Sequence, residues 1–232
     1  MRILLVSATK DEIDPIARQY GTDLRASKDR FFSIRQGTFI LDILISGIGS
    51  AQTTFHLTNT VNKEKYDVVL NVGIAGSFAQ KLTMGEIVNV KEEEFADFGT
   101  RSQGTFKNAT ESGFIGQMEF PFIANKITNK TPWGQGFPQL KQVRGITVET
   151  IIDNFQEIDA RAKKYSPDIE TMEGAAFFYV MSHQSIPYYQ IRSISNIVGS
   201  NKMQWNIPLA KDNLCRFMLR FIDGLKRGIT LK

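Results

Sequence analysis

Residues 169–198 read IETMEGAAFFYVMSHQSIPYYQIRSISNIV. Ile169 to Met172 has the character of a short strand. Glu173 stands where the chain turns into an apolar helix, expected from Gly174 to His183. Pro187 closes that segment, and Tyr188 to Ser195 has the composition of a buried strand running out at Ser195-Asn196. A strand, a polar residue at a turn, a helix, and a second strand with a polar residue at its C-terminal end is how an α/β sheet builds a ligand crevice. Glu173 and Asn196, 23 positions apart in this stretch, are therefore expected to face one cavity.

Working outward, the same alternation continues. Arg2 to Val6 is a continuous apolar run of the kind found in a central strand covered on both faces. A helix is expected from the acidic group Asp11, Glu12 and Asp14 to about Tyr20, where the acids suit the helix dipole. Phe31–Arg35 and Phe39–Ser46 read as a hairpin around Gln36-Gly37-Thr38. Gly47-Ile48-Gly49-Ser50 leads to a helix from Ala51 to about Lys63, and lacks the third glycine of a dinucleotide fingerprint. Asp67–Val72 is a buried strand emptying into a glycine-bracketed loop, Gly73 to Ser77, on the crevice side. Met84–Val90 and Arg144–Glu149 read as strands, Ile151–Lys164 as a helix, and Pro208–Lys226 as a terminal helix with Leu209, Leu214, Phe217, Met218, Phe221 and Leu225 on its apolar face. Between them, Phe95 to Leu140 mixes six glycines with eight aromatics, among them Trp133, and shows no period. That reads as a long functional loop or an excursion over a pocket. No repeat or linker interrupts the pattern, so the expectation is one domain over residues 1–232 in the α/β class.

Composition narrows the function classes. The chain has 232 residues, 42% hydrophobic and 22% charged, ordinary for a water-soluble domain with a sizeable core. No apolar run approaches the length of a spanning helix, so no membrane partner is expected. The single cysteine, Cys215, fits a reducing cytoplasm. His56 and His183 have no cysteine partners at ligand spacing, which argues against a metal site. The net charge of +4 is spread along the chain, so no nucleic-acid partner is expected.

The motifs Ser46-Gly47-Ile48-Gly49, Asn71-Val72-Gly73-Ile74-Ala75-Gly76-Ser77, Met84-Gly85-Glu86-Ile87-Val88, Thr171-Met172-Glu173-Gly174-Ala175-Ala176 and Arg192-Ser193-Ile194-Ser195-Asn196, in this order, resemble the nucleoside phosphorylase/nucleosidase superfamily over nearly the whole chain. The resemblance implies a single-domain three-layer αβα sandwich with a mixed central sheet. The opening Ala8 to Glu12 looks like the hydrolytic branch that includes methylthioadenosine/S-adenosylhomocysteine nucleosidase, in which a glutamate at the Glu12 position activates water. Adenine-specific members carry aspartate where this chain has Asn196. The Ser195-Asn196 pair, the aromatic middle and Gly145-Ile146-Thr147-Val148 are more similar to the futalosine hydrolases of menaquinone synthesis. The implied reaction releases hypoxanthine from futalosine, with no cofactor and no metal, in a cytoplasmic homodimer whose site lies near the subunit boundary. The implied catalytic residues are Glu12, Glu173 and Asn196. The implied substrate-binding residues are Ala8, Ile48, Gly73, Ile74, Ala75, Val148, Met172, Ser195 and Trp205.

The residue types fit that chemistry. An ionised Glu173 can accept from both vicinal ribose hydroxyls and favours a positive sugar in the transition state. Asn196 can donate from its amide to the N7 and O6 acceptors of a 6-oxopurine, whereas adenine offers a donor at N6. Trp205 can stack on the base or on an aromatic 5′ substituent. Plainer roles exist for each: a helix-start acid for Glu12 and Glu173, a capping residue for Asn196, core packing for Trp205. Three alternatives stay open: an adenine-type nucleosidase with an unusual Asn196, an inosine-type phosphorylase, and a nucleoside-binding protein without turnover.

Overall fold

The computed structural model describes residues 1–78, 82–132 and 139–227. Its order is β1 (Arg2–Ser7), α1 (Lys10–Arg18), β2 (Phe31–Gln36), β3 (Phe39–Ile45), α2 (Ser50–Val61), β4 (Val68–Ser77), β5 (Ile87–Phe95), β6 (Gly99–Ser102), β7 (Thr105–Asn108), β8 (Lys126–Thr128), β9 (Lys141–Thr147), α3 (Phe155–Tyr165), β10 (Ile169–Thr171), α4 (Gly174–Ser182), β11 (Tyr188–Ile197) and α5 (Ile207–Lys226).

The central sheet is mixed, in the order β10-β9-β5-β11-β4-β1-β3-β2. Strands β1, β3, β4 and β11 run parallel, and β2 and β5 are antiparallel to their neighbours β3 and β11. Because β10 pairs with both β9 and β4, strands β10, β9, β5, β11 and β4 close into a ring.

Successive residues of β1 enter opposite cores, as an apolar run without alternation requires. Ile3 and Leu5 pack with Ile13 and Ile16 of α1 and Leu214, Met218 and Phe221 of α5. Leu4 and Val6 pack with Leu57 of α2 and Phe177, Phe178 and Met181 of α4. Helices thus cover both faces, giving the three-layer αβα sandwich. On α5, Leu214, Met218, Phe221 and Leu225 are buried as their spacing predicts, but Leu209 is 37% exposed. Cys215 is buried.

Several expected boundaries move, for identifiable reasons. Residues 73–77 are not a loop: β4 continues to Ser77, held by β11 on one side and by β10 at its end. Gly73 and Gly76 have no positive φ, so their glycines serve close approach of neighbours rather than a turn. The strand expected to start at Met84 begins at Ile87, because Gly85 turns there with φ 79°. The helix expected from Ile151 begins only at Phe155, where the Asn154 side chain accepts from the Glu157 N–H and caps it. The segment from Phe95 is partly ordered as a hairpin, β6–β7, and as β8 on the sheet edge. Its local pairing escaped a periodicity search because the strands are three and four residues long. Trp133, Gly134, Gly136 and Phe137, counted in that segment, lie outside the described residues.

Candidate active site

The C-terminal ends of β1, β4 and β11, with β10 running antiparallel beside the end of β4, border a cavity of about 320 Å³. That volume lies at the small end of ligand pockets. Of the residues expected from sequence, Ala8, Glu12, Ile48, Ile74, Ala75, Met172, Glu173, Ser195, Asn196 and Trp205 all line it, joined by Thr9, Asp11, Gly76, Ile151, Glu170, Thr171, Ile207 and Lys211. Two expected residues do not. Val148 is fully buried in a small core with Ile146 and Tyr165, and its N–H donates to Thr171 O at 3.0 Å. Gly73 lies behind the cavity wall.

Glu12 sits in the first turn of α1, where its helix-start role holds. Its Oε2 accepts from the backbone N–H of Thr9 at 3.0 Å, the Thr9 hydroxyl at 2.9 Å and the Ser7 hydroxyl at 3.1 Å. The helix-start role therefore fixes the carboxylate. Oε1 accepts from Ile74 N–H at 3.1 Å, drawing the group over the end of β4. A Cβ on Gly73 would stand 2.7 Å from this Oε1 and 2.2 Å from Arg192 Nη1, so glycine is what admits the two side chains.

Glu173 precedes the first residue of α4 and is 6% exposed. Its Oε1 accepts from Gly49 N–H at 3.2 Å. Gly49 holds φ 89° at the start of α2, a left-handed conformation that glycine reaches without steric cost. The GxG loop thus presents a backbone N–H to a carboxylate 124 positions away. Burial raises the Glu173 pKa above the ordinary carboxylate value. The Arg192 guanidinium opposes that shift, while Glu12 reinforces it. Arg192 Nη2 lies 3.8 Å from Glu173 Oε2.

Arg192 is the residue whose role the sequence did not reveal. It is 1% exposed on β11, and its Nε and Nη2 have no hydrogen-bond partner among the described residues. A buried guanidinium with idle donors is costly unless an anion stands beside it, and Glu173 supplies one. The signal available was an arginine inside an otherwise apolar strand. Behind it lies a second unforeseen feature: Glu93, fully buried on β5, accepts from Gln190 Nε2 at 2.6 Å and from the Thr147 hydroxyl at 3.0 Å. Thr147 Oγ1 in turn accepts from Ala175 N–H at 2.6 Å in the first turn of α4.

The orientation of Asn196 follows from its neighbours. The Ser195 hydroxyl donates to Asn196 Oδ1 at 2.8 Å, and Asn196 Nδ2 donates to Ile197 O at 3.3 Å. Flipping the amide would set an oxygen against a carbonyl oxygen, so the bonds fix Nδ2 as the donating side. One N–H of that NH₂ group remains for a ligand. Trp205 is held by a bond from its Nε1 to Ser200 O at 3.4 Å.

The Phosphorylase superfamily model matches residues 2–223. The chain belongs to that superfamily. Among its relatives, it is 25% identical over 190 residues to a futalosine hydrolase of Thermus thermophilus, covering 77% of this chain and 80% of the relative. It is 26% identical to a 5′-methylthioadenosine/S-adenosylhomocysteine nucleosidase of Colwellia psychrerythraea, covering 97% of each. Among solved structures, a futalosine hydrolase mutant of Helicobacter pylori superposes with a TM-score of 0.73 at 18% identity, over 96% of this chain and 99% of that one. Among the described residues of this superfamily member, no group of three or more His, Cys, Asp or Glu could hold a metal ion. No described helix is long and apolar enough to cross a membrane.

Proposed function

We propose that this protein is a purine nucleosidase that hydrolyses the N-ribosidic bond of futalosine in the cytoplasm, releasing hypoxanthine and dehypoxanthinyl futalosine for menaquinone synthesis. The observation that carries the reading is the fixed donor face of Asn196, set in the same cavity as Glu12 and Glu173. In this mechanism Glu173 accepts from the ribose 2′- and 3′-hydroxyls, and its charge stabilises the sugar as the C1′–N9 bond lengthens. Water attacks C1′ and its proton passes to Glu12, a step worth on the order of 10²–10⁴-fold when the base is positioned. The electron pair of the broken bond leaves with the purine, which takes up a proton from solvent to become hypoxanthine while Glu12 gives its proton back to solvent. Asn196 donates to N7 or O6 and stabilises that pair without giving up a proton. Arg192 keeps two carboxylates compatible in one buried site.

The substrate-binding roles of Ala8, Ile48, Ile74, Ala75, Met172, Ser195 and Trp205 are part of this proposal. So is a homodimer. Ile48 lines the cavity yet is 52% exposed, and Phe55 and Phe98 are 63% and 48% exposed. A groove lined by Phe95, Phe98, Ile115, Phe122 and Tyr179, with Asp97, Glu119 and Glu149 among its other lining residues, lies on the same chain. A second copy laid on this face would bury these groups and close the cavity. Sedimentation showing a fully active monomer would remove the dimer from the account.

The second reading is an adenine-type nucleosidase, favoured by the greater coverage of the Colwellia relative. The two are separated by offering purified protein futalosine and methylthioadenosine, with and without phosphate, and identifying the released base and sugar.

A further inference from the structure

We infer that Glu170 is a second base-specificity residue, accepting from the N1–H of a 6-oxopurine while Asn196 addresses its N7/O6 edge. This rests on the nucleoside reading above and goes past it by naming what rejects adenine. Glu170 lies in the middle of β10, where its Cα is register partner to Gly76 of β4. Gly76 is in turn register partner to Asn196 of β11. Glu170 and Asn196 therefore flank the same glycine, their Cα atoms two strand spacings apart, about 10 Å. No side chain rises between them, and a Cβ on Gly76 would already be 3.1 Å from Asn196 Nδ2. Both residues line the main cavity and also a neighbouring one of about 450 Å³, so they stand at the junction of the two.

The carboxyl is oriented for this task. Glu170 is 8% exposed, and its Oε2 accepts from Arg161 Nη1 of α3 at 2.7 Å. Arg161 is itself 9% exposed and offers only donors, so it holds one carboxylate oxygen and leaves Oε1 as an acceptor for the cavity. Asp97 also acts on the Glu170 carboxyl, and Asp153 and Lys202 line the second cavity with it. A 6-oxopurine carries a hydrogen on N1, which a carboxylate oxygen matches. Adenine carries a lone pair there, which a carboxylate oxygen repels. An acceptor at N1 and a donor at N7/O6 together describe hypoxanthine and exclude adenine at both ends of the edge.

The test uses three nucleosides with one 5′ group: the 6-oxopurine, its 1-deaza analogue, which puts C–H where N1–H stood, and the 6-aminopurine. With wild-type protein, the 1-deaza change should lower kcat/KM about tenfold to a hundredfold, the cost of a lost bond to a buried acceptor. In Glu170→Gln, the amide oxygen must turn to Arg161, and the NH₂ then faces N1. Turnover of the 6-oxopurine should fall by a similar factor, and turnover of the 6-aminopurine should hold or rise. Indifference of wild type to the 1-deaza change, or equal losses on both bases in Glu170→Gln, overturns the inference. The 1-deaza comparison decides even where the variant fails to fold. Wild type that keeps its 6-oxopurine preference in that outcome leaves the futalosine reading standing; wild type that cleaves no 6-oxopurine removes both.

Discussion

Asn196→Asp probes the base-reading geometry without altering size. In the native arrangement Oδ1 accepts from the Ser195 hydroxyl, and Nδ2 donates to Ile197 O at 3.3 Å, which leaves its second N–H for a ligand in the cavity Asn196 lines. The aspartate puts an oxygen where Nδ2 was, against a carbonyl oxygen and against the acceptors of a 6-oxopurine. One hydrogen bond to the base is lost and an acceptor is left unpaired, together about 1–3 kcal/mol. That is roughly a tenfold to hundredfold loss in kcat/KM on the 6-oxopurine substrate. Adenine gains, because a carboxylate accepts from N6–H₂ and, when protonated, donates to N7. The ratio of kcat/KM for 6-oxo- and 6-aminopurine nucleosides should therefore narrow or invert. The two substrates must share a 5′ group, or recognition of that group would pass for recognition of the base. An unchanged ratio would refute the claim that Nδ2 addresses the purine.

Three further outcomes follow from the same geometry. Glu12→Gln should lose most turnover, on the order of 10²–10⁴-fold, while still binding substrate by calorimetry; retained activity would remove the general base. Gly73→Ala sets a methyl 2.2 Å from Arg192 Nη1 and 2.7 Å from Glu12 Oε1, so it should cost about 1–3 kcal/mol in urea unfolding and depress kcat more than it raises KM. Burial pushes the Glu93 carboxyl to about 7 from 4.5, against the opposing pull of its bonds from Gln190 and Thr147 and of Arg192. The folded state then holds a proton that the unfolded state releases, so this group's contribution is greatest below pH 4.5 and is lost as pH rises to about 7, at most about 3 kcal/mol. Glu93→Gln should flatten the pH dependence of unfolding free energy over that window relative to wild type; identical slopes would contradict the shift.

Much of this arrangement is legible in the sequence, because period and punctuation are local. The run Arg2–Val6, the hairpin around Gly37 and the strand–turn–helix around Glu173 each follow from residues a few positions apart. Glu12 and Asn196 were recognisable as polar residues at strand ends and helix starts, and the structure brings both into one cavity with Glu173. What stayed hidden depends on contacts distant in sequence. Gly73 looked like a turn glycine, but its space is claimed by Glu12 and Arg192, 61 positions before it and 119 after it. Val148 belonged to a motif adjacent to the site, yet strand pairing with β10 commits its N–H to Thr171. Glu170 looked like an ordinary strand residue until β10 closed the ring against β4 and set it opposite Gly76. Arg192 and Glu93 were invisible for the same reason: a buried charge is explained only by partners on other strands.

The proposed reaction is hydrolysis of a 6-oxopurine nucleoside by water. Its most direct test is to incubate the purified protein with futalosine in phosphate-free buffer and again with added phosphate, and to identify both products by chromatography and mass spectrometry. Hypoxanthine and dehypoxanthinyl futalosine are expected, released at the same rate in both buffers. A rate that requires phosphate, with a sugar 1-phosphate as product, or cleavage of methylthioadenosine with futalosine untouched, would contradict it.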